Sequence, residues 1–146
     1  MIAMARELFY EDVNVGDTIP ELVKGPLQKI QHVRYAGASG DFNPLHTDDD
    51  FARSVGIQDG VIAHGMLIMG IVGQAITGWV PQKNLKKFGV RFAGMTKPGN
   101  TITVSGAITD KRIEDGENII VCEVVAKDED DDVKITGHFE AALPNK

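Results

Sequence analysis

The chain reads as an α+β domain in which an antiparallel sheet curls around one long apolar helix, and three observations predict it. Positions 61–80 pass without an acidic residue, lysine or arginine. After Pro81 the texture changes to alternation in four runs, 85–92, 101–111, 118–127 and 133–143. Those runs are separated by turn chemistry: Lys97-Pro-Gly-Asn100, Glu114-Asp-Gly-Glu117 and the acidic stretch 128–132. Strands joined by short turns pair antiparallel, and a sheet of this extent buries its apolar face by wrapping the helix.

The elements follow in order. Residues 9–17 form an entry loop whose turn is Asn14-Val-Gly-Asp17, and 18–24 a short strand ended by Gly25-Pro26. Ile30, Val33, Tyr35 and Ala36 predict a helix over 28–38, with its end marked by Gly37 and Gly40. A short helix over 48–55 takes Thr47 or Asp48 as N-cap and Gly56 as its stop. The apolar helix starts at Gly65 and, carried through sixteen residues, spans about 24 Å.

The apolar stretch has the length of a bilayer span. His64, Gln74, Thr77, four glycines and the lack of a basic flank before Val61 argue for a helix buried on every side in a core instead. At 146 residues the chain is expected to be one domain, 1–146, with a core that needs neither disulfide nor metal. A formal charge of −6 makes nucleic acid an unexpected partner. Part of that charge sits in two acidic runs, 48–50 and 128–132, read as solvated turns or caps. The single cysteine, Cys122, excludes an internal disulfide framework and a cysteine-rich zinc site, and its strand context predicts a buried, inert thiol. The start of the chain lacks the basic-then-apolar pattern of a signal peptide, so the cytoplasm is the expected location.

The chemistry concentrates in Gly40-Asp41-Phe42-Asn43-Pro44-Leu45-His46. Pro44 holds its own φ near −65° and turns Asn43 away from helical geometry, so a carboxylate and an imidazole flank a stiff bend. Stiffness is what paired acid and base groups need. Gly40 admits a close backbone approach, and Asn43 can donate and accept hydrogen bonds that orient a partner. By themselves an aspartate and a histidine serve equally as a cap or a polar network. A second feature is Ala63-His64-Gly65-Met66, where Gly65 opens the apolar helix. Unpaired N–H groups and the helix dipole favour a negative oxygen there, and such an N–H stabilises an enolate-like transition state. His64 reads as a capping or packing residue. Together these features suggest proton chemistry beside a thioester carbonyl on an acyl chain.

The two motifs resemble the hydratase signature of the MaoC-like family, which includes the R-specific enoyl-CoA hydratases and the (3R)-hydroxyacyl-ACP dehydratase subunits of type II fatty-acid synthesis. Val90-Arg-Phe92 and Lys97-Pro-Gly-Asn100 extend the resemblance over roughly residues 10–143. It implies a hot dog fold and a dimer with a continuous sheet, either homomeric or with a related subunit. Carried over residue by residue, Asp41 and His46 fall on the catalytic dyad and Gly65 on the glycine whose N–H contacts the thioester oxygen. Asn43 falls on a supporting, substrate-binding position. The implied reaction is reversible hydration of trans-2-enoyl thioesters to (R)-3-hydroxyacyl thioesters, carried on CoA or acyl carrier protein. It moves water and protons alone, so neither a metal nor a redox cofactor is expected. A hot dog thioesterase and a non-catalytic acyl-binding subunit are the rival classes.

Three further expectations follow. Lys83, Lys86, Lys87 and Arg91 are either solvated strand ends or a docking patch for an acidic carrier protein. R-specific hydratases of this kind can carry a serine along the central helix, where this chain reads Met69-Gly-Ile-Val-Gly-Gln74. Gly70 and Gly73 are read as sites of tight packing between helix and sheet.

Overall fold

A computed structural model describes residues 6–146; residues 1–5, part of the stretch read for a leader, lie outside the described residues. The two longest strands, β3 (Ile102–Glu114) and β4 (Glu117–Lys127), are joined by Asp115 and Gly116 with φ of 51° and 77°. Positive φ at both central positions gives the two-residue turn whose twist matches a hairpin. β4 pairs onward with β5 (Val133–Ala142), and β5 with β2 (Leu85–Phe92). On the far side β1 (Leu22–Lys24) lies against β3, which completes an antiparallel sheet of order β1-β3-β4-β5-β2. The four later strands stand where the alternation predicts them, with β3 reaching Glu114 rather than residue 111.

The early strand is shorter than expected. Of residues 18–24, Leu22–Lys24 pair continuously with β3, and Thr18 makes only a bridge to Ala107. Pro20 lies between them and has no N–H for a ladder. β3 accommodates the segment with a bulge at Thr109, opposite which the register steps from Ile108↔Cys122 to Asp110↔Val121.

The inner face of the sheet carries Ile102, Val104 and Ile108 of β3, Ile120, Cys122 and Ala126 of β4, and Ile135 and Phe139 of β5, all buried. They pack on Ile68, Ile71, Val72, Ala75 and Ile76 of the central helix, α3 (Gly65–Thr77). Cys122 is fully buried, and burial pushes its thiol up to about 12, so the strand thiol is inert as expected. α3 has thirteen residues rather than sixteen. The Gly78 N–H closes onto Gln74 and those of Trp79 and Val80 onto Ile76, and Pro81 bars continuation.

Burial of α3 on every side is not what the chain shows. Met66, Gly70 and Gln74, spaced by four, form an exposed stripe along the helix. A Cβ at Gly70 would meet nothing within 4 Å, so tight packing against the sheet does not explain that glycine. At Gly73 the nearest neighbour is Phe88, at an ordinary 3.6 Å. No helix among the described residues is long and apolar enough to cross a membrane.

Two helices precede α3: α1 (Lys29–Ser39) and α2 (Asp49–Ser54). Gly37 lies inside α1, and Gly40 ends it at φ 78°, a left-handed position that costs glycine nothing. Asp48, not Thr47, caps α2, its carboxylate accepting from the Asp50 and Phe51 N–H groups.

Candidate active site

The motif loop leaves α1 at Gly40 and is built from nested side-chain turns. The Asp41 N–H donates to Ser39 Oγ (3.1 Å), the Asn43 N–H to Asp41 Oδ1 (3.2 Å), and the Leu45 N–H to Asn43 Oδ1 (3.0 Å). Asn43 thereby caps a single 3-10 turn, Pro44–His46, with Pro44 at its first position. The Asn43 side-chain oxygen is thus committed to the turn. The Ile62 N–H donates to Leu45 C=O (3.1 Å) and the Ala63 N–H to Thr96 C=O (2.7 Å), which lays residues 61–64 between the motif loop and the β2–β3 connection.

His46 is largely enclosed, with 12% of its side chain exposed against 51% for Asp41. Its Nδ1–H donates to Ile62 C=O at 2.8 Å. A carbonyl only accepts, so this bond sets the tautomer and leaves Nε2 with a free lone pair. That Nε2 stands 3.7 Å from Asp41 Oδ2, too far for a direct hydrogen bond and close enough for both atoms to hold one water.

Two further imidazoles surround the pair. His64 is stacked on His46 with ring centroids 3.8 Å apart and planes 26° from parallel, and its Nε2–H donates to Asp41 C=O (3.0 Å). The Nδ1–H of His32, on α1, donates to His46 C=O (2.9 Å). Both rings are buried, and His32 Nε2 and His64 Nδ1 have no partner among the described residues. Burial holds His32 below the usual histidine range; the bond to the His46 carbonyl works against this, and nearby His64, His46 and Lys29 add to the lowering.

Gly65 is the first residue of α3, and its N–H is bonded to no acceptor among the described residues. A Cβ there would lie 3.1 Å from the Phe92 ring, so glycine lets that ring close over the helix start. His46 and Gly65 line one cavity of about 200 Å³ with Ile62, Ile68, Phe92 and Met95. A larger hollow of about 860 Å³ lies over Ser105, Glu123, Thr136 and His138 and includes neither dyad residue. The four residues singled out from sequence therefore divide. His46 and Gly65 share the cavity, Asp41 faces His46, and Asn43 braces the loop.

Lys134 closes the cavity from the sheet side. It is 5% exposed, and its ammonium donates to Met95 C=O (2.8 Å) and Asp132 Oδ2 (2.7 Å) and pairs with Asp128 Oδ2 at 3.2 Å. Burial presses the Lys134 pKa down, but the hydrogen bonds and charges of Asp132 and Asp128 outweigh it, and the net direction is up. The acidic run 128–132 is thus more than a solvated turn. Glu129 also accepts from Asn100 Nδ2 and the Thr101 N–H. Sequence reasoning missed Lys134 and His32; of the capping or packing role it gave His64, the side chain makes no capping bond but packs on His46. A basic residue two places after an acidic run was the one available signal for Lys134; His32 offered none.

A five-stranded antiparallel sheet around a central helix defines a hot dog protein, and here an Asp/His pair stands beside the glycine that heads the helix. The chain belongs to the family described as MaoC like domain, whose profile matches residues 11–130. It is similar to the enoyl-CoA hydratase ChsH3 of Mycobacterium tuberculosis, at 34% identity over 67% of this chain and 32% of that protein. It also resembles the fatty acid synthase beta subunit aflB of Emericella nidulans, at 34% identity over 70% of the chain. The chain spans only 5% of that relative's length. Among solved structures, the unliganded R-hydratase PhaJ1 of Pseudomonas aeruginosa superposes with a TM-score of 0.84 over 97% of this chain and 89% of that one, at 22% identity.

Proposed function

We propose that the protein hydrates trans-2-enoyl thioesters to (R)-3-hydroxyacyl thioesters and runs the reverse dehydration with the same groups. The observation that carries this reading is the arrangement of His46. Its Nδ1–H is committed to Ile62, its Nε2 is free beside Asp41, and the unpaired Gly65 N–H opens onto the same cavity. In the proposed reaction the Gly65 N–H holds the thioester oxygen as charge develops on it. Asp41 and His46 hold one water at the β carbon, take its proton, and return a proton to the α carbon on the same face. Relatives described as an enoyl-CoA hydratase and a fatty acid synthase subunit support this chemistry. CoA and acyl carrier protein both fit as carriers. A carrier-protein patch gains little support, because Lys83, Lys86 and Lys87 are each within ion-pair distance of a carboxylate, Glu7, Glu117 and Glu140.

The assay is loss of enoyl absorbance on a series of enoyl-CoA lengths, with free thiol release followed in parallel. Wild type should consume the enoyl group without releasing thiol; thiol release in its place would make the protein a thioesterase. The proposal extends to a homodimer. β2 is a sheet edge whose side away from β5 pairs with no strand among the described residues, and the exposed Met66, Phe92 and Met95 lie near it. An open edge beside apolar surface is covered most simply by a second copy across the edge. Sedimentation of the purified chain should give twice its 15.8 kDa mass, whereas a monomer that gains activity only with a related subunit points to a heterodimer.

A further inference from the structure

Asp41 and His46 sit on a loop whose hydrogen bonds are mostly to its own neighbours. The Asp41 N–H and carboxylate bond to Ser39 and Asn43, each two residues away. Local turns of this kind shape a loop but do not fix it in space. Ile62 ties the loop from one side, through the His46 ring and the Leu45 carbonyl, and a matched pair of bonds to the main-chain carbonyls of Asp41 and His46 ties it from another. His64, immediately before α3, donates to Asp41 C=O, and His32, within α1, donates to His46 C=O. The two rings stand edge to face, 6.3 Å apart, and the Tyr35 ring meets His64 at 4.8 Å. The loop is thus held from two helices by side chains that are themselves packed against each other.

We infer that His64 and His32 are positioning residues for the dyad, each holding the main-chain carbonyl of one dyad member and together setting the Asp41–His46 separation. The inference rests on the hydratase reading above and adds a role that the reaction scheme does not require. Both rings act as single donors. Their second nitrogens, His64 Nδ1 and His32 Nε2, are buried without a partner among the described residues, which is unfavourable for a polar atom. An aromatic or aliphatic residue of similar size avoids that penalty and fills the same space. An unsatisfied buried atom calls for a reason, and the carbonyl bond on the opposite side of each ring supplies one. His64 contributes a second constraint, because its face lies on the His46 ring and limits rotation of that ring away from Asp41.

The test uses the full chain with His64→Phe and His32→Phe, which keep a ring in place but remove the donor. His64→Gln and His32→Asn return an amide N–H near the lost Nε2 and Nδ1. Misplacement of reacting groups by about 1 Å costs on the order of 100-fold in rate. Each Phe variant should therefore lose roughly ten- to a hundredfold in kcat with KM within about twofold, and the amide variants should recover a substantial part of kcat. Full kcat in both Phe variants, or a loss in the amide variants as large as in the Phe variants, overturns the inference. A readout independent of turnover is the His46 ring by NMR on histidine-labelled protein. Wild type should show one set of His46 ring signals for the Nδ1–H tautomer that Ile62 sets, and His64→Phe a shifted or broadened set as the ring and Asp41 move relative to each other. Unchanged His46 ring signals in a folded His64→Phe protein would count against positioning even if the chain shows no hydration. If Asp41→Asn and His46→Gln abolish hydration while the Phe variants do not, the proposed function stands and the positioning role falls.

Discussion

Two buried polar clusters face each other across the cavity, and they are built on opposite rules. On the loop side, His32, His46 and His64 are three imidazoles with an incomplete set of partners: two nitrogens are unpaired and a third, His46 Nε2, is held 3.7 Å from Asp41. On the sheet side, the Lys134 ammonium donates to Met95 and Asp132 and is paired with the carboxylates of both Asp132 and Asp128. A satisfied ionic cluster is rigid and chemically idle. A ring nitrogen left without a committed partner is available to exchange a proton. The clamp also serves the site, since the connection it grips at Met95 carries the Thr96 carbonyl that receives the Ala63 N–H, two residues before Gly65.

The contrast predicts which cluster fails in activity and which in stability. His46→Gln removes the reactive nitrogen and should lower the hydration rate by about 10² to 10⁴ fold, and Asp41→Asn likewise. Urea midpoints of both variants should stay near wild type; unchanged rates in both would remove the dyad from the mechanism. Lys134→Met should do the reverse. It leaves the Met95 carbonyl without its donor and the Asp128 carboxylate without its cation, though two backbone N–H groups still hold Asp128, at about 3 kcal/mol of folding stability or less by analogy with other broken buried pairs. A urea titration should show an earlier midpoint at unchanged slope, with activity of the folded fraction only partly reduced.

A smaller effect separates the clusters by pH. The folded His32 binds a proton less readily than a free histidine, chiefly because it is buried. The unfolded chain therefore holds more protons as pH falls below the ordinary histidine value of 6.5, and the His32 contribution, full above that pH, is lost downward through the lowered folded value. His32→Asn should flatten the decline in stability between neutral and mildly acidic pH, read from unfolding midpoints at stepped pH. An equally steep decline in the variant would assign the acid sensitivity elsewhere. The least effect belongs to the exposed Lys86–Glu117 pair at 3.1 Å. Lys86→Ala should change stability by less than about 1 kcal/mol and leave turnover on enoyl-CoA untouched.

Much of the frame was legible in the chain because it is encoded locally. Alternation marks the four later strands, Asp115-Gly116 the hairpin, Gly40 the end of α1, and the Asp41–Pro44–His46 spacing the bend. The errors have local causes too. Pro20 shortened the first strand, and Gly78 with Pro81 shortened α3. Apolar composition gave no sign of the exposed stripe Met66, Gly70 and Gln74, since hydrophobicity counts residues and does not say which face a neighbour covers.

By itself the order of residues determined that a carboxylate, an imidazole and a helix-opening glycine would occur on stiff, turn-bounded segments, because φ preferences and short side-chain caps act within a few residues. Only the tertiary structure decided which nitrogen of His46 is free, which carbonyls His32 and His64 hold, and that an acidic run surrounds a buried lysine. Each of these depends on the distance between segments far apart in the chain. A hydrogen bond or a burial penalty acts only once the fold has brought the groups together.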